Sequence, residues 1–150
     1  MTRDLSVSDV YWATTEVAHQ GDLGVFTVAG MCEALLHARM RHPRPITPEF
    51  LKELAWAVKA QNGFRKVNLE FPADALTWAN IDVAINSLCT SGDRLTPLEW
   101  VYEFLLIHPF IDGNGRVAAI CLNYLTNTLD SDRLRPLPPY DLIKKAAKVR

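Results

Sequence analysis

Two threonine–proline steps constrain the fold of this chain more than any other feature. Thr47-Pro48-Glu49 and Thr96-Pro97-Leu98-Glu99 each set a hydroxyl cap ahead of a proline at the first helical position. Proline's missing N–H costs nothing there, and its fixed φ already suits a helix. Thr96 and Glu99 also have the spacing of a capping box. Helix signals dominate the rest. Ser8 to Gln20 reads as a first helix, stopped near Gly21. Thr27 to Arg41 reads as a second, with Met31, Leu35 and Leu36 at helical spacing and basic residues in its last turn. His42-Pro43-Arg44-Pro45 cannot continue it. The third runs from Thr47 to about Ala60 and is followed by a turn at Gln61-Asn62-Gly63. Later helices are expected over Asp74–Thr90, from Thr96 to about Ile107, and over Arg116–Leu129. A short basic amphipathic helix closes the chain after Arg135-Pro136-Leu137-Pro138-Pro139. Only Phe64 to Phe71 departs from this pattern. There Val67, Leu69 and Phe71 alternate with Lys66, Asn68 and Glu70, and period two argues for an extended segment or a small hairpin. The expectation is an all-α helical bundle with a small β-hairpin.

With 150 residues, 49% of them hydrophobic and 22% charged, the chain can bury a core of its own, and a single domain over 1–150 is expected. A net charge of -1 gives no bulk signature of a nucleic-acid binder. Arg39, Arg41, His42 and Arg44 form a basic cluster without interleaved aromatics, which reads as a solvated helix end and not as a nucleic-acid surface. Lys144, Lys145, Lys148 and Arg150 read the same way. No apolar run approaches the length of a membrane span, and no charged stub leads into an apolar stretch at the start, so a cytoplasmic chain with no membrane partner is expected. Cys32, Cys89 and Cys121 are odd in number and widely spaced, and read as buried free thiols. Trp12, Trp56, Trp78 and Trp100 sit at helical spacings and are expected in the core.

The chemistry concentrates in nine residues, His108-Pro109-Phe110-Ile111-Asp112-Gly113-Asn114-Gly115-Arg116. A helix ends into His108-Pro109, so the imidazole stands at the mouth of a loop. Gly113 and Gly115 let successive N–H groups turn inward into a concave anion site. The start of the next helix adds free N–H groups and its positive dipole end. Arg116 adds a fixed fork suited to phosphate. Asp112 beside a phosphate site suits magnesium, which takes one or two carboxylates and completes its shell with phosphates and water. His108 is the group here that can take a proton near neutral pH. Together these are the parts for phosphoryl-type transfer.

This segment resembles the Fic motif, His-Pro-Phe-x-(Asp/Glu)-Gly-Asn-Gly-Arg, at every specified position. Upstream, Gly63-Phe64-Arg65 followed by Phe71-Pro72 resembles the segment around the family's flap, a β-hairpin bordering the active site. The resemblance covers about 47–129 and implies a Fic fold. It implies that His108 deprotonates a target hydroxyl and that Asp112 binds Mg2+ bridging the nucleotide phosphates. Gly113, Asn114 and Gly115 would form the anion hole. Arg116 would stabilise the departing phosphate, and Phe110 would pin the loop to the core. It further implies transfer of AMP from ATP to a Ser, Thr or Tyr hydroxyl of a target protein, with release of pyrophosphate. The period-two stretch Arg65, Lys66, Val67, Asn68, Leu69 and Glu70 would be the flap on which a target docks by strand addition.

Many members have a second arginine three residues after the motif's arginine, where this chain has Ala119. Ala119 leans toward the Doc branch, which acts as a kinase and has lysine where this chain has Gly115. Gly115 leaves the anion hole open and points to AMP transfer. The alternatives are a Doc-like protein kinase, transfer of another nucleotide-linked group, or a catalytically silent binding module. Many members also restrain themselves through a helix in which a glutamate precedes Gly or Asn. No glutamate of these 150 residues does so. That leaves a separate antitoxin-like protein, the target, or nothing at all as the source of control.

Overall fold

The computed structural model describes residues 4–19, 24–70, 72 and 75–148. The expected helix end at Gln20 and Gly21, the strand end at Phe71, the helix start at Asp74 and the tail residue Arg150 lie outside these. Among the described residues the regular structure is helical. It comprises α1 (Val7–His19), α2 (Val25–Arg41), α3 (Pro48–Val58), α4 (Ile81–Ser91), α5 (Pro97–Ile107), α6 (Asn114–Leu125) and α7 (Tyr140–Lys148), with 3-10 turns at Trp78–Asn80 and Gly92–Arg94.

Both threonine caps form. Thr47 Oγ1 accepts from the Phe50 N–H at 3.1 Å, with Pro48 inside the first turn. At the head of α5, Thr96 Oγ1 accepts from the Glu99 N–H at 3.2 Å while the Glu99 carboxylate accepts from the Thr96 N–H at 3.0 Å. Each donor of the first turn so satisfied would otherwise need water.

Helix α6 is the axis of the bundle. From Arg116 to Tyr124 every residue is buried, and a helix apolar nearly all round must be enclosed by others. It packs against α1, α2, α3 and α5, and α7 packs against α5. Phe50, Leu51 and Leu54 of α3, Phe104 of α5 and Ile120 and Leu122 of α6 share one apolar cluster with Met31 and Leu35 of α2.

Buried polar groups tie the chain ends to this core. Arg39 is 6% exposed, and its guanidinium meets both oxygens of Asp9 on α1 and, at 2.7 Å, the Leu129 carbonyl. It is therefore not part of a solvated helix end as its sequence neighbours suggested. A helix-terminal arginine found its carboxylate 30 residues upstream, a partner that no local pattern shows. Arg41 likewise donates to the Pro45 carbonyl and lies over the Phe50 ring. Asn123, fully buried, donates from its amide to the Ala119 and Arg135 carbonyls, and its oxygen accepts from Thr128 Oγ1 and the Arg135 N–H.

Several sequence expectations shift. Trp12 and Trp100 are in the core, but Trp56 and Trp78 are 58% and 44% exposed. The buried face of α3 is Phe50, Leu51, Leu54, Ala55 and Val58, and Trp56 lies out of phase with it. The fourth helix starts only at Ile81, because the Asn68 side chain accepts from the Trp78 N–H at 2.9 Å and a 3-10 turn precedes the helix. The sixth begins two residues earlier than expected, at Asn114, and ends at Leu125 with a cap at Thr126. Cys32 and Cys121 are buried and Cys89 half-buried, all as free thiols. Burial pushes the Cys89 thiol up to about 11. No helix among the described residues is long and apolar enough to cross a membrane.

The stretch from Phe64 to Glu70 is irregular, and no strand occurs among the described residues. The small hairpin expected here is therefore not seen, although Val67 and Leu69 alternate as a strand would. Arg65 is the physical reason. Its side chain is buried, and the Val67 and Leu76 carbonyls that accept from its guanidinium bend the segment inward around it.

Candidate active site

Helix α5 ends into the segment that opens α6, and the nine motif residues fill that junction. His108 caps α5 in the left-handed region, at φ 51 and ψ 61, with its N–H still bonded to the Phe104 carbonyl. Pro109 bars further helix. Phe110 is fully buried, with ring centroids 5.4 Å from Phe64 and 6.5 Å from Phe104. The Asn114 side chain binds both polar groups of the Phe110 backbone, accepting from its N–H at 3.0 Å and donating to its carbonyl at 2.8 Å. This ring closes the loop on itself. It also fixes the role of the Asn114 amide, which is 2% exposed and turned toward Phe110 and not toward a ligand.

Gly113 stands at φ 84, ahead of the first turn of α6. A Cβ there would sit 3.0 Å from Val58 Cγ2, so both the backbone angle and the approach of α3 call for glycine. The first intrahelical bond of α6 runs from the Val117 N–H to the Gly113 carbonyl. The amides of Asn114, Gly115 and Arg116 precede it and have no helical acceptor, the arrangement that suits an anion. The residues that carry them line a small cavity of about 160 Å³ together with His108, Ile111, Asp112 and Gly113. Its size fits a phosphate group and falls short of a whole nucleotide, for which pockets run from roughly 300 Å³ upward. Two larger apolar grooves flank it. One, of about 650 Å³, lies between α4 and α5 and reaches Leu76 and Ile107. The other, of about 600 Å³, lies between α2 and α3 and reaches Gln61 and Gly63. Of the three, the small cavity is the one that joins a histidine, a carboxylate and a helix N-terminus.

Arg116 is 5% exposed; Nη1 donates to the Val58 carbonyl at 3.3 Å, and Nη2 lies 3.4 Å from Asp112 Oδ1. It is locked between the end of α3 and the motif carboxylate. Asp112 faces solvent. Its Oδ2 meets Lys59 Nζ at 2.7 Å, and its Oδ1 accepts from the Gly113 N–H at 2.8 Å. Burial pulls the Asp112 carboxyl upward. The Lys59 and Gly113 bonds and the Lys59 and Arg116 charges outweigh this and hold it below the usual carboxylate range, so it is ionised at neutral pH. Among the described residues no group of three or more His, Cys, Asp or Glu side chains could cage a metal. A lone ionised carboxylate beside a phosphate-sized cavity fits magnesium that arrives with a nucleotide and completes its shell with phosphate and water.

A second segment braces this loop. Gln61 donates to the Asp112 carbonyl at 3.0 Å. The Arg65 N–H donates to the Pro109 carbonyl at 2.8 Å. Arg65 Nε donates to the His108 carbonyl at 2.7 Å, and Nη2 reaches the Ile107 carbonyl at 3.2 Å. Arg65 is 3% exposed, so it does not belong to a docking surface as expected. Lys66, Val67, Asn68 and Glu70 are exposed and Leu69 half-buried. Nothing local in the sequence singles out Lys59 or Gln61. Their shared partner Asp112 lies 53 and 51 residues away. Arg65 was visible as a flap residue, but its inward direction was not.

With this geometry in hand, the comparisons with known proteins point one way. A family model described as Fic/DOC family matches residues 45–126, more than half the chain, and the chain belongs to that family. Among solved structures, a Fic domain containing signaling protein from Bacteroides thetaiotaomicron superposes with a TM-score of 0.59 at 18% identity. The match covers 96% of this chain and 63% of that one, so this chain spans less than two thirds of its length. At that identity the likeness shows the Fic fold. No curated protein matches the chain. Family membership supports transfer of a nucleotidyl or phosphate group in general terms.

Proposed function

We propose that this chain transfers AMP from ATP to a Ser, Thr or Tyr hydroxyl of a target protein and releases pyrophosphate. The observation that carries the reading is the convergence of His108, ionised Asp112 and the free first-turn amides of α6 on one phosphate-sized cavity. His108 takes the hydroxyl proton, and the freed oxygen attacks the α-phosphorus. The bond from that phosphorus to the oxygen bridging to the β-phosphate breaks, and pyrophosphate leaves with its electron pair. The amides of Asn114, Gly115 and Arg116 face the charge that builds on the phosphoryl oxygens, and the Arg116 guanidinium adds to them. Mg2+ bound at Asp112 would neutralise phosphate charge and hold the nucleotide in register. Exposed Lys66, Val67, Asn68 and Glu70 lie next in sequence to the brace and are where a target segment would meet the site. The proposal places the reaction in the cytoplasm, with a separate antitoxin-like protein as its restraint.

Ala119 favours a second reading. It is fully buried in α6 and brings no charge to the phosphates, so a Doc-like kinase transferring the γ-phosphate is the alternative. Incubation of candidate targets with ATP labelled at either phosphate separates the two. Label from the α-phosphate on a target supports AMP transfer, and label from the γ-phosphate supports the kinase. Label from neither, with a folded chain, points to a donor other than ATP or to a binding module.

A further inference from the structure

The brace contains one residue whose side chain makes every described bond to carbonyl oxygens. Arg65 sends Nε to the His108 carbonyl and Nη2 to the Ile107 carbonyl, while its own N–H reaches the Pro109 carbonyl. Three consecutive carbonyls around the imidazole are thus held by one residue 42 to 44 positions upstream, and the Val67 and Leu76 carbonyls accept two more bonds from the guanidinium. The Ile107 carbonyl is one of the last of α5, left without a helical donor, and the negative end of that helix favours a cation there. His108 itself stands in the left-handed region, which a side chain enters only when its surroundings over-determine it. Only a planar fork with several fixed donors can bridge carbonyls that point in such different directions, and a lysine ammonium cannot.

We propose that Arg65 is the positioning residue of His108: it fixes the peptide planes on either side of the imidazole and so the direction in which the ring faces the phosphate-sized cavity. The proposal rests on the reading of His108 as the base. It differs from a packing role in what it leaves alone. Asn114 at the head of α6, Asp112 and Arg116 are bonded to Phe110, Gly113, Lys59 and Val58, and the Arg65 side chain donates to none of these. Loss of Arg65 should therefore misdirect the base and spare the cradle.

The test compares Arg65→Lys and Arg65→Met with the native chain by three measurements. The first is Mg·ATP affinity by calorimetry. The second is transfer, split into kcat and KM. The third is the His108 ring resonances by NMR. The expected result is affinity within about twofold, kcat lower by about a hundredfold for both variants, as for other small misplacements of a reacting group, and shifted or broadened His108 resonances. Failure of lysine to restore kcat separates the fork from the charge. Unchanged His108 resonances and kcat in a folded variant would overturn the proposal. So would a loss of affinity as large as the loss of kcat, which would mark general collapse of the site. Should the native chain transfer nothing, the reading of His108 as a base fails, while the resonances still decide whether Arg65 orients the ring. If neither variant folds, the native chain decides: the Arg65 Nε–H must be protected from exchange and show a scalar coupling to the His108 carbonyl. A fast-exchanging, uncoupled Nε–H would sink the idea.

Discussion

His108 and Gly113 both sit at positive φ, and the two differ in what substitution should do. On the proposed mechanism His108→Ala removes the base, and it leaves the brace bonds, which run to backbone. Transfer should fall by about a hundredfold to ten-thousandfold with an unchanged far-ultraviolet spectrum, and near-native turnover would remove His108 from the mechanism. Gly113→Ala adds a Cβ against Val58 in a left-handed backbone. It should cost about 1–2 kcal/mol in a urea titration, and nucleotide affinity should drop with it. Asp112 predicts a pH dependence. Its folded value lies below the ordinary one, so its contribution to stability is full above the usual carboxylate range and is lost as pH falls through the lowered value. Lys59→Met removes the principal favourable partner and should flatten the acid side of the stability curve. Since the two side chains are 57% and 49% exposed, the effect should stay within about 1 kcal/mol. Calorimetry on the same variant then reports whether metal binding at Asp112 is eased by removal of the competing cation.

At the scale of elements, the segments between helices decide more than the helices do. The caps at Thr47 and Thr96 were legible because capping is local: three residues suffice to state it. The motif loop was legible for the same reason. The brace was not, because the features that shape it are long-range. Val67 and Leu69 alternate as a strand would, yet the chain bends around Arg65, whose acceptors include carbonyls more than forty residues away. Trp78 was read as a core residue inside a long helix, but the Asn68 side chain ends the irregular stretch at that point. The final connector shows the same physics. Asn123 holds Arg135 and Thr128 with three of its four side-chain bonds, and Asn123→Ala should cost about 1–3 kcal/mol for the buried backbone groups left unpaired, measured by denaturant titration with an unchanged m-value. Glu16 accepts from the Leu137 N–H at 3.0 Å, but burial raises its carboxyl, against the lowering effect of that bond and of His19. A raised folded value means stability falls as pH rises through the interval between the ordinary and raised values. Glu16→Gln keeps an acceptor for Leu137 and removes the charge. Melts at pH 5 and pH 8 should show the native chain losing stability at the higher pH and the variant holding it.

Across the whole molecule, one helix serves as both the central beam of the core and the floor of the site. The first turn of α6 offers its amides to the cavity, while the residues from Arg116 to Tyr124 are buried. The sequence showed the first role through the motif and the second only as a helix over about Arg116–Leu129. It did not show that a single rigid body would join them. Active-site segments in many proteins are drawn from the least stable parts of the fold, where local opening is easy. Here the cradle has no such independence. Its amides are open to the cavity, but they belong to a helix that cannot loosen unless the enclosing bundle comes apart, so the bonded amides of the turns that follow should exchange with solvent only through the global unfolding event. Thermal inactivation and loss of tertiary signal should then coincide on one curve, with no warm, folded but inactive state between them.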